Sequence, residues 1–127
     1  MGLKAVYSDI PKRILRLDRS IRFCAVVDRL GYIIDSEVRA DLEPLLTREE
    51  LDKCALLVSI RHRTRTVLEE KLGRAQCGVT FYEKVVLASM PLADNDLVLV
   101  TVDATTMNFQ GIMRKVLKLI SKYGSVI

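Results

Sequence analysis

The order in which helical and extended patterns follow one another is the feature of this chain that most constrains its fold. Within 127 residues, hydrophobic periodicity predicts a helix, two strands, one long helix, three strands and a final helix, with no linker between them. This order, α-β-β-α-β-β-β-α, predicts an α/β (α+β) fold around one five-stranded antiparallel sheet. A chain of this length that is 50% hydrophobic can bury its own core. We therefore expect a single domain over residues 1–127.

The first three elements form a helix followed by a hairpin. Pro11 and an apolar stripe predict a helix over residues 8–18. Residues 21–27 are rich in β-formers, the segment Asp28-Arg29-Leu30-Gly31 has the pattern of a tight turn, and a second strand returns from Tyr32. Both faces of the first strand are largely apolar, as in a strand covered on both sides. We therefore expect two helices on one face of the sheet and the long helix on the other.

The long helix has clear start and stop signals. Thr47 and Glu50 form a capping box, and Gly73 follows the last apolar position, Leu72. The segments that follow are predicted as three strands over 76–82, 85–90 and 97–102, and a helix over 107–123.

Projected at about 100° per residue, the long helix shows two apolar surfaces rather than one. The surface that we assign to the sheet contains Leu57, Ile60, Thr64, Val67 and Leu68. The second surface contains Leu51, Cys54, Ala55 and Val58, and then becomes basic at Arg61, His62 and Arg65. A helix on a sheet needs one buried stripe, so the second surface must meet either a loop of the same chain, such as residues 36–46, or a partner helix.

The residue types argue against catalysis. Cys24, Cys54 and Cys77 are too far apart for a metal clip, and His62 is the only histidine, which excludes a multi-histidine site. The six glycines are scattered, so no phosphate-binding loop is present. We expect no enzyme activity, no metal and no cofactor. The odd set of three cysteines and the lack of a signal-peptide pattern lead us to expect a protein of the reducing cytoplasm. No apolar run approaches the roughly 20 residues of a membrane span, so we expect a soluble protein.

The net charge of +4 favours acidic partners. The densest basic segment is Arg61-His62-Arg63-Thr64-Arg65, which is typical of a solvated or interface helix face. The first and last helices would form a broader basic surface if they lay side by side; its residues are Lys12, Arg13, Arg16, Arg114, Lys115, Lys118 and Lys122. Nucleic-acid binding is less favoured, because the chain has no tryptophan and few aromatics. The basic last helix could also rest on an anionic membrane, although such a helix more often covers its sheet.

The element order, together with the hairpin over residues 21–34, resembles the roadblock/dynein-light-chain family. That resemblance implies a profilin-like sandwich with the first and last helices on one face and the middle helix on the other. It also implies dimers formed through the middle helix and third strand, and a role as scaffold or regulator of small GTPases. The matching positions give an expected interface of Leu51, Cys54, Ala55, Val58, Arg61, His62, Arg65, Val79 and Phe81.

A second resemblance involves residues 17–34, Pro44-Leu45-Leu46 and residues 69–73, which look like a small uncharacterised archaeal family of single-domain proteins without a known activity. The leading hypothesis is a non-enzymatic homodimeric binding or regulatory module. The alternative is a small-molecule sensor related in shape to PAS domains. A scaffold predicts a helix-paired dimer without an internal cavity, whereas a sensor predicts a closed pocket lined by sheet and long helix.

Overall fold

A computed structural model of the chain describes residues 7–123 and confirms the expected architecture. The ends of the expected domain, residues 1–6 and 124–127, lie outside the described part. All strand pairs are antiparallel, in the spatial order β2-β1-β5-β4-β3. The strands are β1 (Ile21–Val27), β2 (Ile33–Val38), β3 (Gly78–Phe81), β4 (Val85–Pro91) and β5 (Leu97–Asp103). The helices are α1 (Ile10–Leu15), α2 (Arg48–Thr66), α3 (Glu69–Leu72) and α4 (Phe109–Ile120), with single 3-10 turns at Ala93–Asn95 and Ser121–Tyr123.

The turn between β1 and β2 has the geometry that its sequence predicts. The Asp28 carboxylate accepts hydrogen bonds from the backbone N–H of Leu30 at 2.9 Å and of Tyr32 at 3.0 Å. Gly31 takes a positive φ of 92°, a conformation that side chains disfavour. Asp28 therefore has a structural role in this hairpin.

Alternating residues of the central strands build two separate hydrophobic layers. Cys24 and Val26 of β1 contribute to the layer that α1 and α4 cover, whereas Ala25 and Val27 contribute to the layer beneath α2. The β5 strand alternates in the same way, with Leu97 and Leu99 on the α2 side. Helices therefore cover both faces of the sheet, which confirms the prediction from the apolar central strands.

The long helix starts as predicted but ends earlier. Thr47 and Glu50 form the complete capping box. The helix ends at Thr66 rather than Leu72, and α3 continues after a break. Thr64 and Thr66 each donate a 2.7 Å hydrogen bond from their hydroxyl to a carbonyl three residues back, a bond that bends helices. Two such bonds in the last turn account for the break.

Arg39, which the sequence patterns did not identify, ties α1 to the sheet. Its guanidinium donates to the carbonyl oxygens of Leu15 at 3.1 Å, Asp18 at 2.8 Å and Ile21 at 2.9 Å. These bonds satisfy backbone acceptors where α1 turns into β1. Arg39 therefore sets the position of the first helix.

Candidate interaction surface

The structure reverses the expected assignment of the two faces of α2. Ala55, Val58, Ser59 and His62 are buried towards the sheet. Ala55 and Val58 pack in the layer of Ala25, Val27, Leu87, Leu97 and Leu99. Our expectation that the surface containing Leu57 and Ile60 would lie on the sheet is therefore wrong.

Close approach between α2 and the hairpin turn explains the reversal. A Cβ atom placed on Gly31 would lie only 3.1 Å from the Cα of Leu56. Ser59 donates a 3.4 Å hydrogen bond from its hydroxyl to the carbonyl of Arg29 in the same turn. The small Ser59 side chain fits between the helix and the turn at this separation, while Ala55 packs on the sheet layer. The bulkier Leu57 and Ile60 side chains stay about half exposed and do not join the sheet layer.

Apolar residues that stay exposed on α2 and directly after its end at Thr66 form what we call the outer stripe. Leu57 is 51% exposed, Ile60 50%, Val67 78% and Leu68 58%. Thr64, the fifth residue of the outer stripe, is exposed as well. A group of exposed apolar side chains is typical of a contact surface for a partner.

The structure divides the expected interface residues between two faces of the sheet. Ala55, Val58 and His62 are already buried within one chain, so they are not exposed to a partner. Leu51 and Cys54 are half-buried beside them, and Arg61 and Arg65 are exposed. Val79 and Phe81 belong to β3, and the Phe81 ring contacts Phe109 of α4 with ring centroids 5.7 Å apart, on the opposite side from α2.

The β3 strand lies at the edge of the sheet. It contains Val79 and Phe81, and Arg65 of α2 contacts it. Its four residues pair with β4, and no strand among residues 7–123 pairs with its other edge. The guanidinium of Arg65 lies against Gly78, where a side chain would collide with it. Gly78, which has no side chain, is the sequence feature that permits this contact. An open edge with unpaired N–H and C=O groups can pair with another strand.

An open groove of about 880 Å³ lies between the first half of α2 and the sheet. Phe23, Val38 and Leu87 line its sheet side, and Leu51, Cys54 and Leu57 line its helix side. The segment 42–46, part of the loop that could have covered the second surface of α2, lines one wall. Leu45 and Leu46 of this segment are themselves 53% and 42% exposed, so the loop does not close the groove.

The cysteines and the histidine are held in their neutral forms. Burial raises the pKa of the thiols of Cys24, Cys54 and Cys77, which keeps them protonated and poorly nucleophilic. Burial lowers the pKa of His62, and Arg65 and Arg74 add to that effect against the opposing charge of Glu69. In the described residues, no group of three or more His, Cys, Asp or Glu side chains could hold a metal ion.

No helix within residues 7–123 combines the length and apolarity needed to cross a bilayer. No curated protein sequence matches the chain.

Solved structures with the same fold include several bacterial proteins. The gliding protein MglB from Thermus thermophilus has 17% sequence identity and a TM-score of 0.73, with 98% of this chain and 92% of that chain covered. A structure described as MglB with tetrameric arrangement has 18% identity and a TM-score of 0.73, with coverages of 98% and 91%. A Roadblock/LC7 domain from Streptomyces avermitilis has 11% identity and a TM-score of 0.66, with coverages of 90% and 93%.

These likenesses confirm the roadblock-like fold. A family model described as Domain of unknown function (DUF7522) matches residues 19–121, most of the chain including the whole sheet. The chain therefore belongs to the DUF7522 family.

Proposed function

We propose that this chain is a non-enzymatic binding module that works as a homodimer. The observation that carries the proposal is the outer stripe, which exposes four large apolar side chains on α2 and directly after its end. Burying the exposed half of a leucine or isoleucine side chain stabilises a contact by roughly 1 kcal/mol. The outer stripes of two chains therefore supply several kcal/mol towards association.

The open edge of β3 gives the dimer its second contact. Two copies related by a two-fold axis can pair their β3 strands antiparallel and continue one sheet into the other. Arg61 and Arg65, both exposed on α2, would then flank the apolar centre. Association of related chains is supported by the MglB structure described as having a tetrameric arrangement.

A regulatory or scaffolding role follows from the fold and from the absence of an evident reaction site among residues 7–123. A small GTPase is the partner class that the roadblock resemblance implies. The identity of the partner, the absence of catalysis and a cytoplasmic location stay predictions.

The dimer is tested with Ile60→Glu, which places a charge in the centre of the outer stripe. Ile60 is 50% exposed and does not line the groove, so the monomer should stay folded. The matched control is Met107→Glu, a change of equal charge at a 99% exposed residue in the loop before α4. In light scattering, wild type and Met107→Glu should show twice the chain mass of 14.4 kDa, and Ile60→Glu the mass of one chain. A monomeric wild type, or an Ile60→Glu variant that stays dimeric, would contradict the proposal.

The groove favours a second candidate function, that of a small-molecule sensor. It lies between the sheet and the long helix, as a sensor predicts, but it is open rather than closed. Native mass spectrometry of the purified Ile60→Glu variant separates the two functions, because that variant leaves the groove residues unchanged. A small molecule retained by this variant would favour the sensor, whereas an empty monomer beside a dimeric wild type would favour the binding module.

A further inference from the structure

The positive charge of the chain is concentrated in two segments. Residues 8–19 and 109–123 together contain eight basic and two acidic residues, whereas the rest of the chain contains twelve basic and fourteen acidic ones. The net charge of +4 therefore arises entirely from these two segments, and the rest of the chain is net negative.

The fold brings the two segments together on one face. α1 and α4 pack on the same side of the sheet, with Ile10 and Ile14 beside Ile112 and Val116. Arg13 donates to the Tyr123 hydroxyl, which donates in turn to Asp9 at 3.3 Å, so the start of α1 is tied to the end of α4. The outward-facing cations of the two helices form what we call the basic face: Lys12, Arg13, Arg16, Arg114, Lys115, Lys118 and Lys122.

Little of this charge is neutralised within the chain. Asp9 lies 3.8 Å from the Arg13 guanidinium and also accepts from Tyr123. Asp18 accepts hydrogen bonds from the hydroxyl of Ser20 at 2.7 Å and from its N–H at 2.9 Å. These bonds, with smaller contributions from the charges of Lys115 and Arg39, hold the pKa of Asp18 below its ordinary value. Residues 109–123 contain no acidic residue at all. The basic face therefore keeps a large positive excess.

The chemistry of the basic face fits a charged, planar partner. The apolar side of α4, including Ile112, Val116 and Leu119, is buried on the sheet and cannot enter a bilayer. Tyr123 is engaged by Arg13 and Asp9, and Phe109 contacts Phe81, so neither ring offers a platform for stacking bases. The centre of a protein interface is normally depleted in lysine, which is the commonest cation here. Lipid headgroups in a bilayer are laterally mobile and can match any spacing of cations.

We propose that the basic face docks this protein on the surface of an anionic phospholipid bilayer. Docking is electrostatic, occurs without insertion and weakens as salt screens the charges. The face lies on the side of the sheet opposite α2, so it stays free when outer stripes pair. Antiparallel pairing of two β3 edges would place both basic faces on the same side of the joined sheet and double the docking surface. This doubling rests on the proposed dimer, whereas the docking itself does not.

The test is cosedimentation of the full chain with vesicles of phosphatidylcholine and phosphatidylserine, and with vesicles of phosphatidylcholine alone. Each lysine close to an anionic surface strengthens partitioning about fivefold. The triple variant Lys115→Gln, Lys118→Gln and Lys122→Gln should therefore lower binding to the anionic vesicles about 100-fold. The matched control is Lys53→Gln, Lys71→Gln and Lys84→Gln, which removes the same charge from exposed positions outside the basic face. The control should bind nearly as wild type does.

Three results would overturn the proposal. These are a wild type that does not bind the anionic vesicles, equal losses in the two triple variants, and binding to the phosphatidylcholine vesicles of similar strength. A DNA or RNA oligonucleotide that binds through the same three lysines, while anionic vesicles do not bind, would assign the face to nucleic acid instead. Light scattering of the same samples keeps the two proposals apart, because a monomeric wild type that binds anionic vesicles contradicts the dimer and leaves the basic face intact.

Discussion

Replacing Gly31 by alanine tests whether the hairpin turn sets the position of α2. Gly31 has a φ of 92°, and an added Cβ would lie 2.9 Å from Cδ1 and 3.1 Å from Cα of Leu56. The Leu56 side chain is 48% exposed and can rotate away. Its Cα belongs to the helix backbone, so the whole helix must move by a few tenths of an ångström.

The expected cost has two parts. A non-glycine residue in a left-handed conformation costs about 1–2 kcal/mol. Overpacking against a backbone atom adds about 1–3 kcal/mol. The helix is held in place by the buried Ala55 and Val58 and by the bond from Ser59 to Arg29, so it cannot relax freely. We expect Gly31→Ala to lower the free energy of unfolding by about 2–5 kcal/mol, a large part of the 5–15 kcal/mol typical of a domain.

The matched control is Gly73→Ala at the end of α3. Gly73 also has a positive φ, 85°, but an added Cβ would have no neighbour within 4 Å. With φ 85° and ψ 176°, Gly73 lies in a region nearly restricted to glycine, which costs other residues about 1–3 kcal/mol. Because this exposed end can rearrange, we expect a loss at the lower limit, about 1 kcal/mol. Urea unfolding followed by circular dichroism, at one protein concentration because association contributes to stability, compares the two variants. Equal losses in Gly31→Ala and Gly73→Ala would refute the close contact between the turn and α2.

Two further predictions concern the buried face of α2. Ala55→Glu should unfold the monomer rather than only split a dimer, because Ala55 is fully buried between α2 and the sheet. A folded monomer in circular dichroism would contradict this. His62 has a lowered pKa in the folded chain and stays neutral there. The unfolded chain therefore binds more protons than the folded chain as the pH is lowered through 6.5, the ordinary pKa of histidine. The free energy of unfolding should therefore decrease as the pH is lowered from about 7.5 to about 5.5. Over the same range, the urea midpoint of His62→Gln should decrease less than that of the wild type.

Local signals in the sequence were sufficient for the secondary structure and its order. The turn at Asp28 and Gly31, the capping box of Thr47 and Glu50 and the apolar β1 strand all act through neighbouring residues, and the structure contains each of them. The end of α2 was missed because the hydroxyls of Thr64 and Thr66 compete for backbone carbonyls, an effect that hydrophobic periodicity does not report.

Only the tertiary structure decided which face of α2 packs on the sheet. Periodicity identified two apolar stripes, but both repeat with the same helical period, so the pattern alone cannot rank them. The choice depends on tertiary contacts: the turn at Gly31 approaches the helix closely, Ser59 bonds to that turn, and Ala55 packs on the sheet layer. Leu57 and Ile60 stay about half exposed. The sequence also identified the cations of α1 and α4, but it could not place them on one surface. The two helices are about 100 residues apart in the chain, and they meet only because both pack on the same face of the sheet.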